Sequence, residues 1–403
     1  MKFSKLSQLF LVSAFGLILA TFVTACQLVS INIVYVADSA GNSTGSAGQI
    51  QTFAADAGSG ALRTSAPTVS SGGTTPVALA VTSDSANLYV ANQGNKTVVH
   101  FTIDGNGVLT MKDSVTLAAA PVFIAVNAAG TYLYVVSGTT SGTLTEYALS
   151  SGAIGSAIST VSLVVPGYTA DTILPTGVAV LPSNAAVYVT AVDKSAYNPG
   201  GVTTSNANPG WLFGYSLGST GALNATSGSP YQSGVKPSAL AIDPTSRFVY
   251  VTDYASNDLV GYTVLSNNSL NFMVNGPFKT GDEPTAITID PRGLYIYVSN
   301  SLDNTVSSYS IALPTGTPST VVSATSSAGN ATDTQPVSIV VEPALGRYVY
   351  TANYLGNSVS GFKLNPNTGS LESNQATPYP TSAIPTAIVA IPHGNHALQT
   401  TTP

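Results

Sequence analysis

The sequence predicts an all-β fold, a seven-bladed β-propeller closed by its C-terminal strand joining the N-terminal blade, and three observations predict it. Gly, Ser, Thr, Ala and Val dominate the 403 residues, while charged residues make up only 7%. That composition favours short strands and turns over helices. A proline followed by an alternating apolar run recurs seven times, at Pro76, Pro121, Pro175, Pro237, Pro284, Pro336 and Pro385; proline is tolerated there because the first residue of a strand need not donate to the ladder. Six of these runs precede a tyrosine-bearing strand: NLYVAN (87–92), YLYVVS (132–137), AVYVTA (186–191), FVYVTD (248–253), YIYVSN (295–300) and YVYTAN (348–353). The seventh tyrosine strand, IVYVAD (33–38), lies at the other end of the chain. The last proline strand and the first tyrosine strand therefore lack partners unless they pair with each other. A ring does this and hides the sheet edges that an open array exposes.

Taken in order, residues 1–25 read as a lipoprotein signal peptide. Lys2 and Lys5 form a positive n-region, 9–23 is apolar, and the small residues before Cys26 match a bacterial lipobox around the only cysteine of the chain. By that resemblance Cys26 becomes the lipidated first residue, and Gln27 after it resembles an outer-membrane destination. An ordinary signal peptide or a transmembrane anchor is the alternative reading of the same segment. A lipidated tether (26–32), the propeller (33–392) and a C-terminal tail (393–403) follow. A solitary cysteine excludes a disulfide framework.

Within each blade the third strand ends near an aromatic: Phe53, Phe101, Tyr147, Tyr215, Tyr262, Tyr309 and Phe362. Packing between blades accounts for them. The repeats YVANQGNKTV (89–98), YVTDYASNDLVGY (250–262), YVSNSLDNTVSSY (297–309) and YTANYLGNSVSGF (350–362) resemble those of the seven-bladed propeller lactonases (6-phosphogluconolactonase-like) and related YVTN-repeat surface proteins. The resemblance spans nearly all of the chain after the signal. It implies the fold directly and lactone hydrolysis as one activity of such a scaffold.

On a propeller, ligands are expected at the channel mouth, on the face built by the loops after the second and fourth strands. The residue three past each repeat tyrosine starts one of those loops: Asp38, Asn92, Ser137, Ala191, Asp253, Asn300 and Asn353. Asx side chains set such turns by bonding the backbone. The same residues could form a polar ring for a sugar, or for a divalent cation such as calcium, whose ligands are oxygens. Asp193, Lys194 and Asp303 fall in the same loops, as do Lys236, Lys279, Asp282 and Glu283. An insertion at 195–210 ends at the only tryptophan, Trp211, which reads either as core or as a sugar-stacking platform. Arg247, Arg292 and Arg347 follow Asp-Pro or Glu-Pro turns on the opposite face, where turn and blade contacts are expected of them.

Catalytic motifs are sparse. GNSTG (41–45) and GYSLG (214–218) match the spelling of a nucleophile elbow without its strand, turn and helix, and His393-x-x-His396 falls short of the three or four ligands zinc wants. The net charge of −6 speaks against nucleic acid, which is held by Lys and Arg. Two function classes stand side by side. One is a monomeric, membrane-anchored envelope protein that binds a glycan, protein or small ligand at the mouth. The other is a lactone hydrolase in which Asp253, Asp282 or Glu283 is the base that activates water and Lys236 steadies the oxyanion.

Overall fold

In a computed structural model of the chain, the described residues are 29–39, 47–167, 173–194, 210–218, 221–321, 329–394 and 396. Cys26 and most of the 195–210 insertion lie outside them. The described residues form seven antiparallel sheets and no helix. In each sheet the strands are lettered A to D from the channel outward. The A strands are Pro76–Val81, Pro121–Val126, Ile173–Val180, Pro237–Ile242, Pro284–Ile289, Pro336–Val341 and Ile384–Pro392. The last of these pairs with Ser30–Ser39, the B strand of blade 1, whose C and D strands are Ala47–Asp56 and Leu62–Thr74. The ring is thus closed as the offset between proline and tyrosine strands requires. Blades 2 to 7 follow in chain order.

The first strand begins at Ser30, earlier than the boundary at residue 33. Buried Ile31 and Asn32 belong to the sheet, and Asn32 Nδ2 donates to Glu342 of blade 7 at 2.7 Å. Blades 4 to 7 also carry a split outer strand, as in blade 5, where Leu270–Phe272 and Phe278–Lys279 both pair with Asp258–Val264.

The repeat tyrosines clamp each blade to the next. Tyr35 donates to the carbonyl of Gly107, Tyr89 to Gly152, Tyr188 to Asn268, Tyr250 to Gly316, Tyr297 to Gly369 and Tyr350 to Gly60. Every acceptor is a left-handed residue in the C–D hairpin of the following blade, with φ between 63° and 85°. A buried phenol needs a partner, and these turns present one at the same place each time. Blade 3 departs from the pattern: Tyr134 donates to buried Glu146 at 3.2 Å.

The C-strand aromatics from Phe53 to Phe362 are buried in the clusters between blades, as expected. On the far face, Asp243, Asp290 and Glu342 are buried and accept backbone N–H bonds from their own turns. Arg247 reaches Leu313 O of blade 6 and Arg292 reaches Pro366 O of blade 7, both at 3.1 Å. These arginines make turn and blade contacts.

The channel mouth as candidate functional site

At all seven blades the residue that opens the loop after strand B lies opposite the proline of strand A. The pairs are Pro76 with Asn92, Pro121 with Ser137, Pro175 with Ala191, Pro237 with Asp253, Pro284 with Asn300, Pro336 with Asn353 and Pro385 with Asp38. One residue after each proline is bulged out of the pairing. Those extra residues are Val77, Val122, Thr176, Ser238, Thr285, Val337 and Thr386, and all seven line a central cavity of about 390 Å³. A bulge re-aims a side chain, and here it aims one residue per blade into the channel.

Three of the four hydroxyls in this ring bridge to the next blade. Ser238 donates to Pro284 O, Thr285 to Pro336 O and Thr386 to Pro76 O, each at 2.7 Å. Thr176 donates to Thr190 within its own blade. A hydroxyl that has given its proton still offers lone pairs to an incoming O–H or N–H. Among the described residues the rest of the lining is aliphatic apart from Ser338 and the exposed Phe123, with no charged side chain.

The Asx residues one strand further out are fully buried and bond their own blades, the connecting loops or, for Asn92, the outer strand of blade 1. Asn300 Nδ2 donates to Thr305 and Ser307, and Asn353 Nδ2 to Ser358 and Ser360, at 2.9 to 3.0 Å. Asn92 exchanges bonds with Ser71. Ser233 donates to both oxygens of Asp253, and Ser382 donates to Asp38. These side chains hold turns. They do not converge on a shared cation, and no group of three or more His, Cys, Asp or Glu among the described residues is arranged to hold a metal. Burial pushes Asp38 up to about 7 and Asp253 up to about 8, the latter helped by the neighbouring Asp258 carboxylate and opposed by Ser233.

The mouth loops carry the other sequence-predicted residues. Lys236 and Glu283 occupy the same repeat position in adjacent blades, directly before Pro237 and Pro284. Both have left-handed backbones, φ 59° and 55°, a conformation rare for a non-glycine residue and disfavoured before proline. Their carbonyls accept from Tyr254 N and Ser301 N, which explains why the backbone turns there. The Lys236 ammonium stands 4.1 Å from the centre of the Tyr254 ring. Asp282 is exposed and accepts from Asn257, while its N–H donates to Asp303 at 2.7 Å. Asp193 is buried at the end of its strand, and Lys194 is exposed. Neither these residues nor Asp253 lines the cavity itself. Trp211 opens strand C of blade 4 inside a hydrophobic cluster and is 7% exposed, so its ring packs as core and is not presented as a stacking platform.

Sequence reasoning missed the seven bulged residues. His100 is buried, 2.7 Å from Asp113 and 2.9 Å from Asn87 Oδ1, and stacked on Tyr89. It sits opposite Tyr89 as Glu146 sits opposite Tyr134, so both titratable side chains occupy a packing position between blades.

The model of the family described as lactonase, 7-bladed beta-propeller matches residues 33–196 and 106–396. No curated protein matches the sequence. Among solved structures, a periplasmic gluconolactonase of Pseudomonas aeruginosa superposes with a TM-score of 0.72 at 17% identity, covering 90% of this chain and 99% of that one. A putative 6-phosphogluconolactonase of Bacteroides uniformis gives 0.72 at 17%, with 90% and 100% covered. Its counterpart from Bacteroides fragilis gives 0.71 at 17%, with 91% and 99% covered. At this identity the likeness is one of fold. The family match extends over all seven blades, and the chain belongs to the seven-bladed β-propeller lactonase family.

Proposed function

We propose that this protein is an exported envelope lipoprotein, anchored at Cys26, whose channel mouth binds an uncharged, hydroxyl-rich ring such as an unphosphorylated sugar or sugar lactone. The observation that carries this reading is the composition of the channel. Seven inward side chains are Ser, Thr or Val, and none of the lining residues among those described is charged. A phosphorylated ligand would call for Arg or Lys beside the bound ring to make charge-assisted bonds; the arginines of blades 5 to 7 are on the other face, and Lys194, Lys236 and Lys279 stand in mouth loops outside the cavity lining. Hydroxyls interleaved with aliphatic side chains suit a pyranose or lactone ring, which offers both O–H groups and C–H faces.

Hydrolysis of the bound lactone is the second reading, favoured by family membership and by Lys236 and Glu283 standing at equivalent positions on adjacent mouth loops. Glu283 would take a proton from water as the water oxygen bonds to the lactone carbonyl carbon. Lys236 would balance the charge on the carbonyl oxygen until the ring C–O bond breaks, and the proton held by Glu283 would pass to the leaving ring oxygen to give the hydroxy acid. Asp253 is less suited to be the base, because Gly234 and Ser233 cover it and burial keeps it largely protonated at neutral pH.

Calorimetric titration with neutral aldonolactones and their phosphorylated counterparts tests the binding reading. Saturable binding of the neutral forms alone, abolished when Val337→Trp fills the channel, is expected. Preference for the phosphorylated forms would overturn it. Acid release in a pH-stat, lost in Glu283→Gln, would establish hydrolysis.

A further inference from the structure

Both ends of the propeller chain lie on the far face. Strand A of blade 1 runs from the mouth to Pro392, and strand B runs back from Ser30, pairing Asn32 with Pro392 at the far end and Asp38 with Pro385 at the mouth. Val29, 63% exposed, precedes that strand, and its carbonyl accepts from Ala57 N in the C–D turn of blade 1. The same turn accepts Tyr348 OH from blade 7. The entry point is therefore pinned to the far rim at the seam between blades 7 and 1.

We propose that the far face of the propeller is its membrane-facing surface and that the channel opens away from the bilayer. This rests on the lipid anchor at Cys26 proposed above. The three peptide units from Cys26 to Val29 span at most about 11 Å, so a lipid at Cys26 holds the far rim against the phospholipid headgroups. Strands of six residues rising ~3.3 Å each set the mouth loops roughly 20 Å farther out. A tether that short cannot lead around the ring and turn the mouth to the membrane.

The side chains around the entry suit a headgroup surface. Arg63 and Arg347 are exposed on either side of the turn that holds Val29. Arg247 is exposed farther along the same face, with Leu265 and Leu313 each 43% exposed beside it. Anionic headgroups attract such basic side chains within a Debye length. The exposed acids of this face are Asp84 and Asp104 of blade 2 and Glu372 of blade 7, the last opposite exposed Lys363, so the short tether at the seam of blades 7 and 1, more than charge, sets which sector lies closest to the lipid. A mouth held outward stays open to ligands arriving from the aqueous side.

The test uses the full processed protein in vesicles of phosphatidylethanolamine and phosphatidylglycerol containing a headgroup-spin-labelled lipid. A fluorophore is attached to Leu313→Cys on the far face or to Leu302→Cys, 61% exposed on a mouth loop; a lipidated Cys26 has no free thiol to compete. Several-fold stronger quenching at position 313 than at 302 is expected. Equal quenching, or stronger quenching at 302, overturns the orientation, and Leu265→Cys replaces position 313 if that variant does not fold. Intact mass and vesicle flotation separate the two claims. A lipidated, floating protein with its mouth label quenched sinks the orientation alone. A protein that carries no lipid and does not float sinks the anchor and the orientation together.

Discussion

The hydroxyl of Tyr350 donates to the carbonyl of Gly60 at 2.8 Å, joining residues 290 positions apart. This bond fastens blade 7 to blade 1, the blade assembled from both ends of the chain. Gly60 is left-handed, φ 68°, and a Cβ there would sit 2.3 Å from the Tyr348 ring. Gly60→Ala therefore combines backbone strain with overpacking and is expected to destabilise by about 3 kcal/mol or more. Tyr350→Phe should cost about 1–2 kcal/mol, because Asn374 still donates to the same carbonyl. Urea denaturation of both variants measures this, and an unchanged midpoint for Gly60→Ala would contradict the account.

Buried carboxylic acids at the mouth predict a pH dependence. Asp253 rises from 3.8 to about 8 and Asp38 to about 7, chiefly through burial. Between these limits the folded state binds more protons than the unfolded state, so stability falls as pH rises. The contribution is fully present below about pH 4 and is lost as pH climbs through 7 to 8. Asn92, Asn300 and Asn353 fill the same place in other blades, so Asp253→Asn should fit without rearrangement. The expected result is a flatter stability profile between pH 5 and 8 and a variant about 1 kcal/mol or more stabler than the parent at pH 8. A variant that loses stability at pH 8 would show that the charged form is the one the fold accommodates.

Much of this arrangement could be read from the chain, and the unreadable part has a physical cause. Pro284 and Asn300 are both visible as repeat markers, and their pairing follows once the ring is inferred. Thr285 is different. The bulge between Pro284 and Ala286 breaks the period of two, so alternation counted from the proline and alternation counted back from Ile289 assign Thr285 to opposite faces. The channel lining was hidden behind that one extra residue in every blade. Tyr350 was legible as core, but its acceptor Gly60 was not, because the acceptor belongs to a turn in another repeat. Trp211 shows the converse limit. Next to a long insertion it invites a ligand role, and only its neighbours in blade 4 reveal a core side chain.

Trp211 packs with Tyr134, Val136 and Ile173 across the seam of blades 3 and 4. Trp211→Ala should cost about 3–5 kcal/mol through the cavity it leaves. Trp211→Phe should recover most of that. Affinity for a channel ligand, measured on the folded fraction, is expected to stay within a factor of two in both, taking uncoupled distant sites as the guide. A large loss of affinity in a stable Trp211→Phe variant would restore the stacking role.

Closure by the last strand makes the strongest structural prediction. Ile384–Pro392 pairs with Ser30–Ser39 over eight positions and buries Ala387, Ile388, Ala390 and Ile391. Deleting residues 384–403 leaves the B strand of blade 1 as an open edge with unpaired N–H and C=O groups, while its apolar face loses its cover. Exposed edges of this kind recruit other chains, so the truncated protein is expected to form oligomers or aggregates at micromolar concentration. A peptide with the sequence of residues 384–392 presents the missing edge again, and strand addition of this type draws its affinity from main-chain bonds with side-chain pockets supplying specificity. Adding it during refolding should restore a monomer by light scattering. A peptide in which Ile388 and Ile391 are replaced by Asp should not, since both side chains enter the core. A truncated chain that stays monomeric and melts like the parent would mean that the ring is held by the blade-to-blade clamps alone and that the closing strand is dispensable.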